Sequence, residues 1–380
     1  MSPPRQRLTS IDATRGLIMV VMALDHARDF LGFKAFNATD LAKTTVPFFM
    51  TRWVTHFCAP GFMLLAGTAA YLAGKSKPEL SRFLLTRGLW LVFAELTVIH
   101  FAWTFTFTNP RLMVIWALGW SMVLLAALVW LPSRWVAVLS IATIVLHNAF
   151  DGIRAAPLRD AAGVSTGTAG DWVISLLHQG NTPVGYPLIP WVAVMALGYV
   201  MGPIFTMEPD RRQRLLVQLG LGALGAFVAL RALNVYGDPA PWTTQPSSAF
   251  TVLSFLNVTK YPPSLAYLLV TLGPLFLVLA AFERMTLKRE GPLVIFGRVP
   301  FFYYALHLGL LHLAAVAVGL AQGFEAQQFV GPFWKFPKGF GLSLGWVYVA
   351  WAGAVLILFL PSRWFAALKA RRKDWWLSYL

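Results

Sequence analysis

Charged residues are scarce in this sequence of 380 residues. Asp, Glu, Lys and Arg make up 12% of it, about half the share typical of soluble domains, whereas 57% of the residues are hydrophobic. The mean hydropathy is +0.63. A water-soluble fold cannot bury that much apolar surface, and only helices or closed barrels span a bilayer. The long apolar runs therefore predict an all-α, polytopic membrane protein.

Cysteine and acidic residues are also scarce. The single cysteine, Cys58, excludes an internal disulfide and a cysteine metal cage, and its apolar flanks predict a packing role. Lys and Arg number 31 against 16 Asp and Glu, which gives a net charge of +15. In a soluble chain this excess would suggest nucleic acid. Here the cations fall between apolar runs, so we expect membrane lipids as partners and no nucleic acid.

Ten apolar segments approach the roughly 20 residues that a membrane helix needs. They are residues 12–31, 48–73, 82–106, 112–131, 134–149, 188–206, 213–235, 264–284, 292–320 and 342–366. We expect about ten transmembrane helices in one bundle and a single domain, residues 1–380. The first segment lacks a small-residue cleavage site and is interpreted as a retained helix. The longest loop, residues 150–187, contains DWVISLLHQG, which predicts a short surface or re-entrant helix.

The basic residues predict the orientation of the bundle. Cationic loops alternate with loops that are nearly free of Lys and Arg, such as TFTFTNP and YGDPAPWTTQPSSAF. The cations on one side are Arg5, Arg7, Lys75, Lys77, Arg82, Arg134, Arg211, Arg212, Arg214, Lys288, Arg289, Lys369, Arg371, Arg372 and Lys373. By the positive-inside rule this side is cytoplasmic and includes both termini. The loop at residues 150–187 then lies outside.

The histidines all fall at mid-membrane or toward the outer side of this arrangement. They are His26, His56, His100, His147, His178, His307 and His312. An intramembrane histidine often marks a polar cavity or a relay, although an interfacial position explains any single one equally well. As a set, they favour a polar cavity that opens outward.

A polar stripe runs along the first predicted helix. Arg15 and His26 are eleven residues apart, which gives about 16 Å of rise and close to three full turns, so they share a face. Asp12 and Asp29 lie close to the same stripe. The alternative is that Asp12 and Arg15 merely form an i,i+3 ion pair at the helix end. A lipid-facing helix would not carry such a stripe, so this face is predicted to point into the bundle, where His26 is suited to be a general base.

Arginine, ten residues and then histidine in the first membrane helix is the pattern of integral-membrane acyltransferases. SIDATRGLIMVVMALDHARDF and RWVTHFCAPGFMLLAGTAAYLAG resemble the bacterial relatives of heparan-α-glucosaminide N-acetyltransferase. YPLIPWVAVMALGYVMG, FLNVTKYPPSLAYLL, FGRVPFFYYALHLGLLHL and RRKDWWLSYL are similar to blocks of that family in the same order. The resemblance covers nearly the whole chain. It implies about ten membrane helices, an acyl-CoA (acetyl-CoA) donor on the cytosolic side, and a hydroxyl or amine acceptor, such as a glycan, beyond a bacterial inner membrane.

Acyl transfer from a thioester needs a base or a nucleophile beside the carbonyl, and donors for the developing oxyanion. His26 is the first candidate for the base, with Asp25 or Asp29 to orient its imidazole. His56 is the second, because consecutive antiparallel helices would place it at a similar depth. A histidine bonded to a neighbouring helix or to interfacial water explains His56 equally simply.

Three candidates for the substrate site lie farther along the chain. Lys260 is placed to bind an acceptor carboxylate or to polarise a carbonyl, or alternatively to snorkel at the interface. Tyr303 and His307 are i,i+4 neighbours on the ninth segment and share a face, whereas His312 is turned away from His307.

Arginines are the natural partners of the coenzyme A phosphates at the cytoplasmic surface. The candidates are Arg15, Arg82, Arg87 and Arg298, with Arg15 also a candidate for the substrate site. Positive-inside anchoring explains each of them without a ligand. GTAAYLAGKS has Ala69 where a P-loop needs glycine, and no histidine–carboxylate spacing resembles a zinc site. We therefore expect neither nucleotide hydrolysis nor a metal.

Two functions from different classes remain. The first is an acyltransferase that uses cytosolic acyl-CoA and an outer acceptor. The second is a secondary transporter whose buried His, Asp and Glu couple protons or substrate. FGRVPFF predicts an interruption in the ninth helix, but the other half has no matching break of the kind transporter repeats show. The resemblance favours the acyltransferase, and a homodimer stays open beside a monomer.

Overall fold

The computed structural model describes residues 8–33, 36–75, 79–160, 164–372 and 374–379. Within them the chain forms fifteen α-helices and no β-strand, which confirms the all-α class. The first eight are α1 (Thr9–Leu31), α2 (Val46–Val54), α3 (Cys58–Gly74), α4 (Leu80–Ala94), α5 (His100–Thr104), α6 (Val114–Leu128), α7 (Ser133–Leu146) and α8 (Ala169–Ile174). The others are α9 (Trp191–Val200), α10 (Pro209–Leu233), α11 (Ser248–Leu256), α12 (Leu265–Arg284), α13 (Pro292–Arg298), α14 (Pro300–Ala321) and α15 (Leu344–Arg371).

Seven helical segments of the described chain are long and apolar enough to cross a membrane. They are Val46–Gly74, Leu80–Thr104, Ser133–Phe150, Pro209–Leu233, Leu265–Arg284, Pro300–Ala321 and Leu344–Arg371. Val114–Leu128 and Trp191–Thr206 are shorter apolar helices, and α1 has 23 residues including the polar stripe. All ten predicted spans therefore coincide with helical segments. The number that cross the bilayer and the side of each terminus stay predictions, and Arg5, Arg7, Lys77 and Lys373 lie outside the described residues.

The helix predicted within the loop at residues 150–187 is present. Helix α8 begins with a capping box in which Thr168 and Asp171 satisfy each other's backbone N–H. It continues as a π-helical turn, Ser175–Gln179, and ends at Gly180, whose φ is +65°. DWVISLLHQG is therefore helical over most of its length.

The ninth predicted span is two helices and not one. Helix α13 ends at Arg298, and Val299 leaves the helical region with φ −131° and ψ 48° before α14 begins at Pro300. Proline disfavours the helical conformation in the residue before it, and its own missing N–H is tolerated in a first helical turn. The interruption predicted at FGRVPFF is confirmed.

Helix α1 lies at the centre of the bundle and packs against α3, α12, α13, α14 and α15. Asp12, Asp25 and His26 are all less than 9% exposed. The polar stripe thus faces the interior, as the sequence predicts.

Close packing fixes α1 against α13. A Cβ atom on Gly16 would lie 1.8 Å from the carbonyl oxygen of Leu293, and one on Gly297 would lie 1.8 Å from the carbonyl oxygen of Asp12. Small residues of this kind allow membrane helices to approach closely. The contact brings the guanidinium of Arg15 to 3.2 Å from the carbonyl oxygen of Gly297.

Replacing Gly16 by alanine should destabilise the protein, because the added methyl group forces α1 and α13 apart. Overpacking of this kind costs about 1–3 kcal/mol, which lowers the thermal unfolding midpoint of the detergent-purified protein. Gly225→Ala on α10 is the matched control, since nothing lies within 4 Å of its Cβ position. Equal midpoints for the two variants would contradict the tight α1–α13 contact.

Candidate active site

Two buried histidines from distant parts of the chain form a hydrogen-bonded pair. Nδ1 of His26 on α1 lies 2.6 Å from Nε2 of His307 on α14. The side chains are 8% and 0% exposed, and the ring planes are inclined by only 13°. His307 was predicted to line the substrate site. The structure shows its Nε2 directed at His26.

The carbonyl group of Tyr303 fixes the protonation pattern of the pair. It lies 3.0 Å from Nδ1 of His307, and a carbonyl can only accept, so this nitrogen carries the proton. When the imidazole of His307 is neutral, its Nε2 carries no proton and accepts a hydrogen bond, which Nδ1 of His26 donates. Nε2 of His26 is left with its lone pair and, among the described residues, with no hydrogen-bond partner. This nitrogen is therefore available as a base.

The carboxylates beside His26 bind arginines. Asp25 forms ion pairs with Arg28, at 2.8 Å, and with Arg52. Asp29 lies 2.6 Å from Arg28. Sequence reasoning named Asp25 and Asp29 as residues that orient the imidazole of His26. In the structure that imidazole donates its hydrogen bond to His307, and Asp25 is bound by Arg52, which was not among the predicted site residues.

His56 lies in a different environment. It belongs to a 3₁₀ turn, Thr55–Phe57, between α2 and α3, and it is 3% exposed. Its carbonyl oxygen accepts a hydrogen bond of 2.7 Å from the hydroxyl of Tyr267, whose ring lies 5.4 Å from the imidazole. In the described chain no hydrogen bond joins it to His26, and its Nδ1 is buried without a partner.

A cationic cavity of about 320 Å³ lies at the Arg15 end of α1. Four cationic side chains line it: Arg15, Arg87, Arg298 and Lys369. Most of the remaining wall is apolar or aromatic, and includes Met19, Phe62, Leu91, Phe301 and Tyr304. Three arginines predicted to bind the donor are thus brought together from α1, α4 and α13. Lys369 was not selected, because its place near the end of α15 is explained equally well by anchoring.

Arg82 lies apart from this cavity. Its side chain is 77% exposed and pairs with Glu79 at 3.2 Å. The residues that line the cavity do not include it. Its environment matches the alternative interpretation of a surface anchor.

A second cavity of about 270 Å³, which we call the aromatic pocket, lies at the other end of α1. Its polar side chains are Arg28, Asp29, Asn37 and Arg52. Its aromatic side chains are Phe33, Phe36, Phe48, Phe333 and Trp334.

His26 lies between the two cavities along α1. Arg15 and Met19 line the cationic cavity, whereas Arg28 and Asp29 line the aromatic pocket. Thirteen residues from Arg15 to Arg28 correspond to about 20 Å of rise. The ring of His26 also contacts Trp103 and Tyr304, at centroid distances of 4.8 and 6.0 Å, and Tyr304 lines the cationic cavity.

Two further candidates lie near this centre. Tyr303 is fully buried, with a hydroxyl that has no partner among the described residues and a ring stacked 5.4 Å from that of His307. Lys260 interacts electrostatically with Asp25 and His26, and its ammonium lies 5.4 Å from the centre of the Tyr261 ring. Tyr303 is therefore a backbone support for the histidine pair, and Lys260 adds positive charge beside it.

The seven histidines do not line one common cavity. His147 and His178 form a separate pair, with ring centroids 5.7 Å apart. His312 stacks on Phe105 at 3.7 Å, and His100 binds the carbonyl oxygen of Thr108 at 2.9 Å. All seven histidines are buried. Their similar predicted depth suggested a common cavity, but the fold places them in separate environments.

The described residues define a multi-pass helical membrane protein with a histidine pair between the cationic cavity and the aromatic pocket. The family model described as "Heparan-alpha-glucosaminide N-acetyltransferase, catalytic" matches residues 7–237, more than half of the chain. The chain belongs to this family of membrane acetyltransferases, as the sequence motifs predict. No curated protein matches it. The matched region contains His26 and His56, while Lys260, Tyr303 and His307 lie beyond it.

Glu95 stabilises the start of helix α6, close to Trp103, which contacts His26. It is 1% exposed and accepts hydrogen bonds of 2.9 and 3.0 Å from the backbone N–H groups of Ile115 and Trp116. These groups belong to the first turn of α6, where no intrahelical acceptor exists. Glu95 therefore caps α6 from a π-helical turn, Glu95–Ile99, next to Trp103.

Glu95→Ala should lower the thermal unfolding midpoint, because it leaves two buried N–H groups without an acceptor. Each such group costs about 1–3 kcal/mol. Glu95→Gln keeps a side-chain carbonyl oxygen and should lose much less. A capping role would be contradicted if Glu95→Ala melted like the unmodified protein, or if Glu95→Gln were equally damaging.

Proposed function

We propose that the protein transfers an acyl group, in the first place acetyl, from cytosolic acyl-CoA to a hydroxyl or amine acceptor on the outer side of a bacterial inner membrane. The donor binds in the cationic cavity and the acceptor in the aromatic pocket. His26 is the base between them. The observation that carries the proposal is the available Nε2 of His26, held by His307 between two cavities of different chemistry.

The cationic cavity suits coenzyme A. Its phosphates match the guanidinium groups of Arg15, Arg87 and Arg298 and the ammonium of Lys369. The apolar wall from Met19 to Tyr304 then accommodates the less polar thioester end, directed toward His26. Under the positive-inside rule this cavity opens to the cytosol, where acyl-CoA is available.

The reaction requires two proton transfers and one exchange of bonds. Nε2 of His26 takes the proton from the acceptor hydroxyl or amine as that oxygen or nitrogen bonds to the acyl carbon. The thioester C–S bond breaks, and the proton passes from Nε2 to the departing coenzyme A sulfur. Charge on His26 is shared with His307 through their hydrogen bond, and no metal takes part.

The site residues predicted from sequence receive separate roles in this proposal. Asp25 and Asp29 hold the arginines of the aromatic pocket, and the backbone carbonyl group of His56 accepts the hydrogen bond of Tyr267. A glycan is the expected acceptor, membrane lipids surround the bundle, and a homodimer remains a prediction. The family favours this transferase over a secondary transporter.

Acetyl-CoA should raise the unfolding midpoint of the detergent-purified protein in a saturable manner, because it binds only the folded state. Free coenzyme A should stabilise it as well, while ATP should have no matching effect. Arg298→Gln should weaken the binding of acetyl-CoA about tenfold, equivalent to about 1.4 kcal/mol of binding free energy. Arg82→Gln is the matched control and should bind acetyl-CoA with unchanged affinity. No shift with any acyl-CoA would contradict the donor site.

His26→Ala should reduce transfer at least 100-fold, the lower range for loss of a general base. Donor binding, followed by the same thermal titration, should survive. His56→Ala tests the competing candidate and should retain much more transfer than His26→Ala. Normal turnover by His26→Ala would exclude His26 as the general base. Loss of transfer in His56→Ala but not in His26→Ala would identify His56 as the base.

A further inference from the structure

We infer that the aromatic pocket binds a negatively charged oxygen group, a carboxylate or a phosphate, on a ring-bearing molecule. Its use as the acceptor site rests on the proposed function, but the binding chemistry does not. The hydrogen-bond donors in the pocket, the charge around them and the aromatic wall all favour such a ligand.

Arg28 has a hydrogen-bond donor that no described residue of the protein uses. The side chain of Arg28 is only 10% exposed, and Asp25 and Asp29 both bind its Nη2. Its Nη1 is buried with no partner among the described residues. A buried donor without an acceptor is costly and rare in native proteins, so an oxygen-rich ligand is the natural partner.

Arg52 and Asn37 add further donors. Among the described acceptors Arg52 donates only to Asp25, through Nη1, and its side chain is 15% exposed. The Oδ1 of Asn37 accepts hydrogen bonds from Thr39, so its NH₂ group is left to donate. Planar guanidinium groups bind carboxylates and phosphates through two parallel hydrogen bonds.

The surrounding charge favours an anion. Arg28 and Arg52 form ion pairs with Asp25, and Asp29 is the second carboxylate of the group. The two guanidinium groups balance the two carboxylates, and the excess positive charge comes from Lys260, which lies outside the lining of the pocket. A fourth cation, Arg111, lies 4.5 Å from the centre of the Trp334 ring on the pocket wall. One ligand anion would bring the group toward neutrality in a region of low dielectric.

The wall of the pocket favours a ring. Phe36 and Phe48 pack with centroids 5.5 Å apart, and Trp334 remains 46% exposed. A volume of about 270 Å³ is close to the lower limit of about 300 Å³ for small-molecule sites. This space suits one ring with one charged substituent. Asp29 lies three residues beyond His26 on the same face of α1, and Trp103 contacts both His26 and the pocket residue Phe333, so a bound ring would be near the base.

The inference is tested with glucuronate, glucose 1-phosphate and glucose as probes of the full-length protein in detergent. Titrations followed by saturation-transfer NMR give the dissociation constants. At least one charged sugar should bind about tenfold more tightly than glucose. A preference for glucuronate identifies a carboxylate site, and a preference for glucose 1-phosphate identifies a phosphate site.

Arg52→Gln should weaken the binding of the charged probe about tenfold. Arg52→Lys should weaken binding less, because it keeps the positive charge. Some loss should remain, because lysine lacks the planar guanidinium group. Asp25 retains Arg28 in both variants. Lys43→Gln is the matched control, since this cation of the neighbouring loop is 67% exposed and outside the pocket. If Arg52→Gln fails to fold, Asn37→Ala replaces it and should also weaken binding.

Equal binding of the three probes, or no binding of any, would overturn the inference. So would charged-sugar binding that neither Arg52→Gln nor Asn37→Ala reduces. The acetyl-CoA thermal titration is performed on the same preparation. Donor stabilisation without preference for a charged sugar contradicts only the anion site. A charged-sugar preference without donor stabilisation contradicts only the proposed acyl transfer.

Discussion

The hydrogen bond between His26 and His307 determines how the rest of the site works. It joins α1 to α14 across 281 positions of the sequence, inside the bundle. The carbonyl group of Tyr303 sets the direction of the bond, so that Nε2 of His26 is the nitrogen left free to accept a proton. Without this support, a buried imidazole would have no fixed tautomer or orientation. The close contact of α1 with α13 and the capping of α6 by Glu95 hold the surrounding frame.

The polar stripe of α1 links two cavities of different chemistry. At one end the cationic cavity presents four positive side chains above an apolar wall. At the other end arginines paired with Asp25 and Asp29 meet a cluster of aromatic rings. Buried charges of this kind are costly unless they are paired, and at the Arg28 end two carboxylates bind the arginines. Nη1 of Arg28, which has no partner among the described residues, is the donor that a ligand can use.

Much of this arrangement follows from local patterns in the sequence. Hydropathy predicted helical segments at all ten spans, helical periodicity predicted the buried face of α1, and Pro300 predicted the break after α13. The partners across the bundle could not be predicted, because periodicity identifies the face of a helix but not its neighbour. The sequence therefore predicted that His307 binds substrate and that Asp25 orients the imidazole of His26. In the structure His307 is the partner of His26, and Asp25 binds Arg52. An arginine in an apolar segment, as in FFMTRWVTHF, is the signal that would have indicated Arg52.

The central claim is that donor and acceptor reach His26 from opposite sides of the membrane. The most direct test uses proteoliposomes that contain radiolabelled acetyl-CoA, with a panel of amino sugars and sugar acids supplied only outside. The account predicts labelled sugar outside for the unmodified protein and none for His26→Ala. Efficient transfer when donor and acceptor are confined to the same side, with none across the membrane, would contradict it.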